Sequence, residues 1–233
     1  MSVDSAKLNA ARAALEFVQD GMVVGLGTGS TSAHFVRLLG ERVQRGLRIK
    51  GVPTSEATRN LAEQVGVPLL EISQVSSIDV DVDGADEIDP AFRLIKGGGG
   101  ALLREKIVAA ASKEMIVIAD ETKWVERLGA FPLPVEVSRF GFALTAQRVR
   151  DVLRGTGCAG DDVVLRVSGK ANEPVITDGG NYILDAHAQS IRDAETLAAR
   201  LQAIPGVVEH GLFLGLASTV ILGDAGGAQL RTR

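Results

Sequence analysis

Met22-Val-Val-Gly-Leu-Gly-Thr-Gly-Ser-Thr-Ser32 decides the fold of this chain. Met22 to Leu26 is an apolar run of strand length. Ser30 to Arg45 carries Phe35, Leu38 and Leu39 at helical spacing, and Gly46 stops it. A strand, a glycine turn and a helix in immediate succession form the repeating unit of an α/β sheet. The unit recurs on both sides. Ala6 to Asp20 is a helix with Leu8, Ala11, Leu15 and Val18 on one face, Arg48 to Pro53 is a strand, and a helix runs from Ser55 to Gly66. Val67 to Ile72 reads as a further strand. Ile78-Asp-Val-Asp-Val-Asp83 alternates with period two, so it is a strand with one polar face. A helix from Leu102 to Ser112 and a buried strand from Met115 to Ala119 complete the series. Such alternation predicts a Rossmann-like, mostly parallel sheet with helices on both faces.

The rhythm changes after Gly129. Phe131-Pro-Leu-Pro134 is a stiff connector and a plausible boundary. Beyond it the predicted order is strand (Val135 to Ser138), helix (Thr145 to Leu153), strand (Val163 to Val167), two strands (Pro174 to Thr177 and Tyr182 to Ala186) around a turn, helix (Ala194 to Ile204), and strand near Val207. That is the β-α-β-β-α-β ferredoxin-like motif, a smaller α+β domain. The expected division is residues 1–130 with 207–233 as the larger domain and 131–206 as the smaller. Ser218 to Leu222 is expected to return to the main sheet, and Asp224 to Arg233 to be a loose tail.

Composition limits the function. The 233 residues are 45% hydrophobic and 23% charged, which is globular rather than disordered. Net charge is −4 (25 basic, 29 acidic), against a general nucleic-acid surface. One cysteine, Cys158, excludes an internal disulfide and a thiolate zinc cage. His34, His187 and His210 are dispersed without metal-ligand spacing. No apolar run reaches membrane-span length, and Met1-Ser-Val-Asp-Ser-Ala-Lys7 has no signal-peptide core, so the expectation is a soluble cytoplasmic protein.

Three segments carry candidate chemistry. In Gly25-Leu-Gly-Thr-Gly-Ser-Thr31 the glycines admit a ligand close to the backbone, helix N-terminal amides attract anions, and Thr28, Ser30 and Thr31 add hydroxyls. Serines at 30 and 32 break the dinucleotide pattern, and the missing lysine breaks the nucleoside triphosphate pattern. A small phosphorylated sugar fits the loop, as does a tight turn with a Ser/Thr helix cap. Asp79 to Gly84 suggests a calcium loop, but Pro90 stands where the closing glutamate is required. Asp83-Gly-Ala-Asp86 instead ends a parallel strand, where ligands of such sheets bind; a solvated turn is the alternative. Lys96-Gly-Gly-Gly-Gly100 precedes the helix bearing Glu105, and four glycines suit backbone amides that surround a ligand, or a flexible loop. Glu105, between Arg104 and Lys106, equally suits the helix dipole. Lys123, at a strand's carboxyl end, and Lys7, on the first helix, are either phosphate ligands or solvated.

Taken in order, Gly25 to Thr31, Thr54-Ser-Glu-Ala-Thr58, Asp83-Gly-Ala-Asp-Glu87, Lys96 to Lys106 and Ala119-Asp-Glu-Thr-Lys123 closely resemble the ribose-5-phosphate isomerases of the A type. The resemblance continues through Phe131-Pro-Leu-Pro-Val-Glu136, Thr177-Asp-Gly-Gly-Asn181, Ile204-Pro-Gly-Val207 and Gly211-Leu-Phe213, nearly the whole chain. It departs at Thr54, where a hydroxyl is kept, and at Leu214-Gly-Leu-Ala217, which lacks polar residues.

This resemblance implies an isomerase that interconverts D-ribose 5-phosphate and D-ribulose 5-phosphate with no cofactor or metal, as a homodimer or homotetramer. By motif position Glu105 is the proton acceptor, and Asp83, Asp86 and Lys96 serve ring opening and hydroxyl handling. Thr28, Gly29, Ser30 and Thr31, with Lys123 and Lys7, bind the substrate and its phosphate. Asp83, Gly84, Ala85, Asp86, Lys96, Gly97, Gly98 and Gly99 complete the implied substrate contacts. The chemistry is consistent: one carboxylate in a dry site can carry a proton between adjacent carbons, and fixed donors stabilise the enediolate. Two rivals are a non-enzymatic sugar-phosphate sensor, which would bind without turnover, and an acyl-CoA transferase, which would form a glutamyl thioester.

Overall fold

The computed structural model describes residues 3–169 and 171–233 and divides them into two compact units. The first runs through Ala85 and adds Arg104–Trp124 and Gly215–Arg233; the second comprises Asp86–Leu103 and Val125–Leu214. Along the chain the elements are α1 (Val3–Ala14), β1 (Val23–Leu26), α2 (Ser30–Gln44), β2 (Lys50–Pro53), α3 (Glu56–Gln64), β3 (Ile78–Asp83), β4 (Glu87–Ile88), β5 (Leu94–Ile95), α4 (Leu102–Ala110) and β6 (Ser112–Asp120). There follow β7 (Leu133–Val137), α5 (Phe142–Gly155), β8 (Asp162–Leu165), β9 (Val167–Ser168), β10 (Glu173–Pro174), β11 (Tyr182–His187), α6 (Ala194–Gln202), β12 (Val207–His210), β13 (Leu212–Phe213), β14 (Ala217–Gly223) and β15 (Ala228–Thr232).

The first unit is a six-stranded sheet in the order β15-β14-β6-β3-β1-β2, parallel except for β15. The period-two pattern of β3 sorts its side chains. Val80 and Val82 join Val24, Leu26, Ile116 and Ile118 in a core covered by Ala10, Ala11 and Ala14 of α1 and Phe35 and Leu39 of α2. A second apolar cluster joins Val108 of α4 with Val52 and Ile78. Asp81 and Asp83 are fully buried, so the polar face of β3 is enclosed rather than solvated.

Three expectations are corrected here. Val67 to Ile72 is no strand: only Leu69 bridges Gly51, because Pro68 has no N–H to donate to a ladder. Asp224 to Arg233 is no loose tail. Asp224 Oδ1 accepts from the N–H groups of Gly226 (2.7 Å) and Gly227 (2.9 Å), and this turn returns the chain as β15, antiparallel to β14. Pro174 to Thr177 does not form one strand either; Glu173–Pro174 pairs with β9, and Ile176 makes an isolated bridge to Tyr182.

The second unit contains a four-stranded antiparallel sheet in the order β12-β7-β11-β8, the ferredoxin-like arrangement. Leu133, Val135 and Val137 of β7 share a core with Val149 and Leu153 of α5 and Leu197 and Leu201 of α6. The same unit holds a three-stranded sheet, β13-β5-β4, in which Ile95 pairs with both Leu212 and Glu87. The compact units therefore divide the chain elsewhere than at 131 and 207: the non-local pairing of β13 brings Asp86–Leu103 into the second unit. Among the described residues no helix is long and apolar enough to cross a membrane.

Candidate active site

In the first unit the glycine loop is organised by one carboxylate. Asp83, at the end of β3, uses Oδ1 to accept three hydrogen bonds: from Thr28 N (3.0 Å), Gly84 N (2.7 Å) and Ser32 Oγ (3.3 Å). Hydrogen bonds to a charged acceptor are the stronger kind, so Asp83 fixes the path of the loop between β1 and α2. Gly27 makes this contact possible, since a Cβ there would lie 2.0 Å from Asp83 Oδ1. Gly29, at φ +114°, turns the chain into α2.

Thr28 does not stand alone as a ligand hydroxyl. Its Oγ1 donates to Ser55 Oγ at 2.8 Å and lies 2.8 Å from Thr54 Oγ1. Ser55 Oγ donates to Thr58 Oγ1 (3.1 Å), which in turn bonds Gly27 O (3.0 Å). Ser55 also caps α3 through the Thr58 N–H. The segment Thr54 to Thr58, given no role by sequence reasoning, thus ties α3 to the glycine loop. Its cap signature is visible in the sequence; its partner Thr28 is not.

Lys7 reaches this loop from α1, with Nζ donating to Ser30 Oγ at 2.9 Å, on the first residue of α2. An ammonium, a hydroxyl and a helix N-terminus therefore converge, an arrangement suited to phosphate. Lys123 follows Asp120, a buried carboxylate at the end of β6 that accepts from the Thr122 N–H. Glu105 lies in the first turn of α4 and is 3% exposed. Its neighbour Arg104 turns instead to Glu56 at 2.7 Å, and this guanidinium holds the Glu56 carboxyl below the usual glutamate range. Glu56, Arg59, Arg104 and Ile107 line a cleft of about 260 Å³ that includes none of the expected site residues.

The second unit carries Asp86, Lys96 and the glycine run. Asp86 N donates to Ile95 O (2.8 Å), and Lys96 N donates to Gly211 O (2.9 Å), so the small three-stranded sheet sets both residues. Lys96 is 2% exposed, with Nζ 5.4 Å from the centre of the Phe213 ring, a cation–π contact. Asp86 Oδ2 accepts the Gly98 N–H at 2.8 Å. From β11 and the segment after β8, Asp185 and Arg166 form an ion pair, and Arg166 Nη1 donates to the carbonyls of Gly97 (2.8 Å) and Gly98 (3.1 Å). Nothing local in the sequence marks Arg166. Two buried carboxylates are structural: Glu87 accepts from Gly129 N and Phe131 N, both at 2.6 Å, and Glu136 accepts from Thr177 Oγ1 and Asn181 Nδ2. Among the described residues no group of three or more His, Cys, Asp or Glu is placed to hold a metal ion.

The first unit thus combines a parallel sheet that ends in a carboxylate-pinned glycine loop with a buried glutamate in the first turn of α4. The family model of ribose 5-phosphate isomerase A (phosphoriboisomerase A) matches residues 50–227. The ribose-5-phosphate isomerase A of Nitrobacter hamburgensis is 57% identical over 233 residues, all of both chains, and that of Maricaulis maris 54% over 224 residues, 96% of each. Among solved structures, ribose 5-phosphate isomerase A from Methanocaldococcus jannaschii superposes with a TM-score of 0.91 at 39% identity over both full chains. A D-ribose-5-phosphate isomerase in complex with phospho-erythronic acid does so with a TM-score of 0.91 at 42% identity, again over both full chains. The chain belongs to the ribose 5-phosphate isomerase A family.

Proposed function

We propose that the chain interconverts D-ribose 5-phosphate and D-ribulose 5-phosphate through an enediolate, with Glu105 as the proton carrier. Glu105 takes the C2 proton of the open-chain aldose, and the electron pair passes to the C1 carbonyl oxygen. A proton moves from O2 to O1, Glu105 returns its proton to C1, and C2 becomes the carbonyl. Asp86 and Lys96 handle the hydroxyl protons, and Asp83 with Lys96 opens the furanose ring. Lys7, Ser30, Thr31, Lys123 and the loop amides of Thr28 and Gly29 hold the phosphate, whose binding positions C1 and C2. The glycine-run amides and Lys96 stabilise the enediolate charge. The scheme calls for no metal or cofactor.

The observation that carries this reading is the burial of Glu105, 3% exposed in the opening turn of α4. A carboxylate removed from water is a stronger base than one in solution. The reading also takes the protein as cytoplasmic, a homodimer or homotetramer, without nucleic-acid or membrane partners. Proton NMR of ribose 5-phosphate with the protein in D2O and EDTA tests it. Ribulose 5-phosphate should form and carry solvent deuterium at C1; binding without conversion overturns the reading in favour of a sensor.

A further inference from the structure

Arg166 lies 69 and 68 residues from Gly97 and Gly98 in sequence, yet its Nη1 donates to the carbonyls of both. Its remaining edge is taken by Asp185, with Nε bonded to Asp185 Oδ2 at 2.9 Å and Nη2 to Oδ1. Both side chains are largely buried, at 15% and 18% exposure. The guanidinium is thus held by a bidentate pair and cannot swing away without leaving Asp185 unpaired.

This grip acts on the amides of the run. In a trans peptide the N–H points opposite to the C=O of the preceding residue. Fixing the Gly97 carbonyl on Arg166 therefore aims the Gly98 N–H the other way, where it meets Asp86 Oδ2 at 2.8 Å. Fixing the Gly98 carbonyl likewise aims the Gly99 N–H away from Arg166. Successive glycine peptides rotate at little steric cost; the turn bond from Gly100 N to Gly97 O (3.0 Å) holds the first peptide together with Arg166, and the Gly98 carbonyl is held by Arg166. A cation on the carbonyl also polarises the amide and strengthens its N–H as a donor.

We propose that Arg166, locked by Asp185, is a positioning residue of the isomerisation: it orients and polarises the Gly98 and Gly99 amides, the first to hold Asp86 and the second to face the enediolate oxygen. The inference rests on the isomerase reading above. It requires no contact between Arg166 and the sugar phosphate, so its signature lies in turnover rather than in phosphate binding.

The test compares Arg166→Met, Arg166→Lys and Asp185→Asn with the parent protein. Steady-state kinetics, inhibition by phospho-erythronic acid, inhibition by inorganic phosphate and thermal melting are measured on each. Arg166→Met should lower kcat about 10- to 100-fold, below the cost of deleting an oxyanion donor outright, with KM changed less than threefold. Phospho-erythronic acid, whose carboxylate carries a pair of oxygens and a negative charge as the enediolate does, should lose affinity in step with kcat, while inorganic phosphate should bind as before. Arg166→Lys keeps the charge without the fork and should fall between parent and Arg166→Met. Asp185→Asn, which frees the guanidinium, should show the same pattern more weakly. If Arg166→Met fails to fold, the other two variants decide. The proposal is overturned if folded variants keep the parent kcat, or if phosphate and phospho-erythronic acid lose affinity equally. An inactive parent protein overturns the isomerase reading instead.

Discussion

Replacing Gly27 by alanine puts a methyl group where Asp83 already stands. The added Cβ would lie 2.0 Å from Asp83 Oδ1, 2.3 Å from its Cγ and 2.5 Å from its Cα. The last distance is to backbone, so rotating the Asp83 side chain does not relieve the clash, and β1 and β3 must separate at the loop. Overpacking of this kind costs roughly 1–3 kcal/mol. Moving Asp83 also strains the three hydrogen bonds on its Oδ1; losing one such bond to a charged acceptor adds about 1.5–3 kcal/mol. Gly27→Ala should therefore destabilise the protein by about 3–5 kcal/mol in guanidinium unfolding and raise KM for ribose 5-phosphate, because the loop amides move with Asp83. Two neighbours provide controls. At Gly84 the nearest heavy atom to an added Cβ is Ser32 Oγ at 3.7 Å, an ordinary contact, so Gly84→Ala should be nearly neutral. At Gly29 there is open space but φ is +114°, so Gly29→Ala should cost about 1–3 kcal/mol through backbone strain alone. If Gly27→Ala costs no more than Gly84→Ala, the account of the loop as pinned by Asp83 is wrong.

Further expectations follow from the same contacts. Lys7→Met removes the ammonium beside Ser30 and should raise KM about tenfold or more with kcat nearly unchanged, read from saturation kinetics. Glu87→Ala leaves the Gly129 and Phe131 amides without their buried acceptor and should cost about 2–5 kcal/mol in chemical unfolding. The Lys113 ammonium and the Val23 N–H hold the Asp79 carboxyl below its ordinary range, so its native pKa lies under its unfolded one. That contribution is present above about pH 4 and fades as acid protonates the carboxyl. The melting difference between parent and Asp79→Asn should accordingly be largest near neutral pH and close on acidification to about pH 2.

The larger sheet was legible because its strands carry local signals: the alternation of Ile78 to Asp83 sorts buried valines from buried aspartates, and Gly46 and Gly66 mark helix ends. β4, β5 and β13 were not, because two-residue strands have no periodicity and their pairing joins Leu94–Ile95 to Leu212–Phe213 across the chain. β15 escaped for the opposite reason: all five of its residues are exposed, so no apolar pattern marks it, and the turn at Asp224 creates it. The site divides likewise. Asp83 and Lys96 stand beside glycines and Glu105 is singled out by the family resemblance, whereas Arg166 meets the glycine run through a contact that only folding creates. The hydroxyl of Thr28 is visible in the sequence, but its partners Thr54 and Ser55 are brought to it only by folding.

The most direct test of the account is Glu105→Gln, which keeps the shape of a buried side chain and removes its capacity to accept a proton. Conversion of ribose 5-phosphate to ribulose 5-phosphate in EDTA, followed in D2O together with phospho-erythronic acid binding, should show turnover and C1 deuteration reduced by about 10³-fold or more, with melting temperature and ligand affinity close to those of the parent. Parent-like turnover with deuterium still entering at C1 would contradict the assignment of Glu105 as the proton carrier.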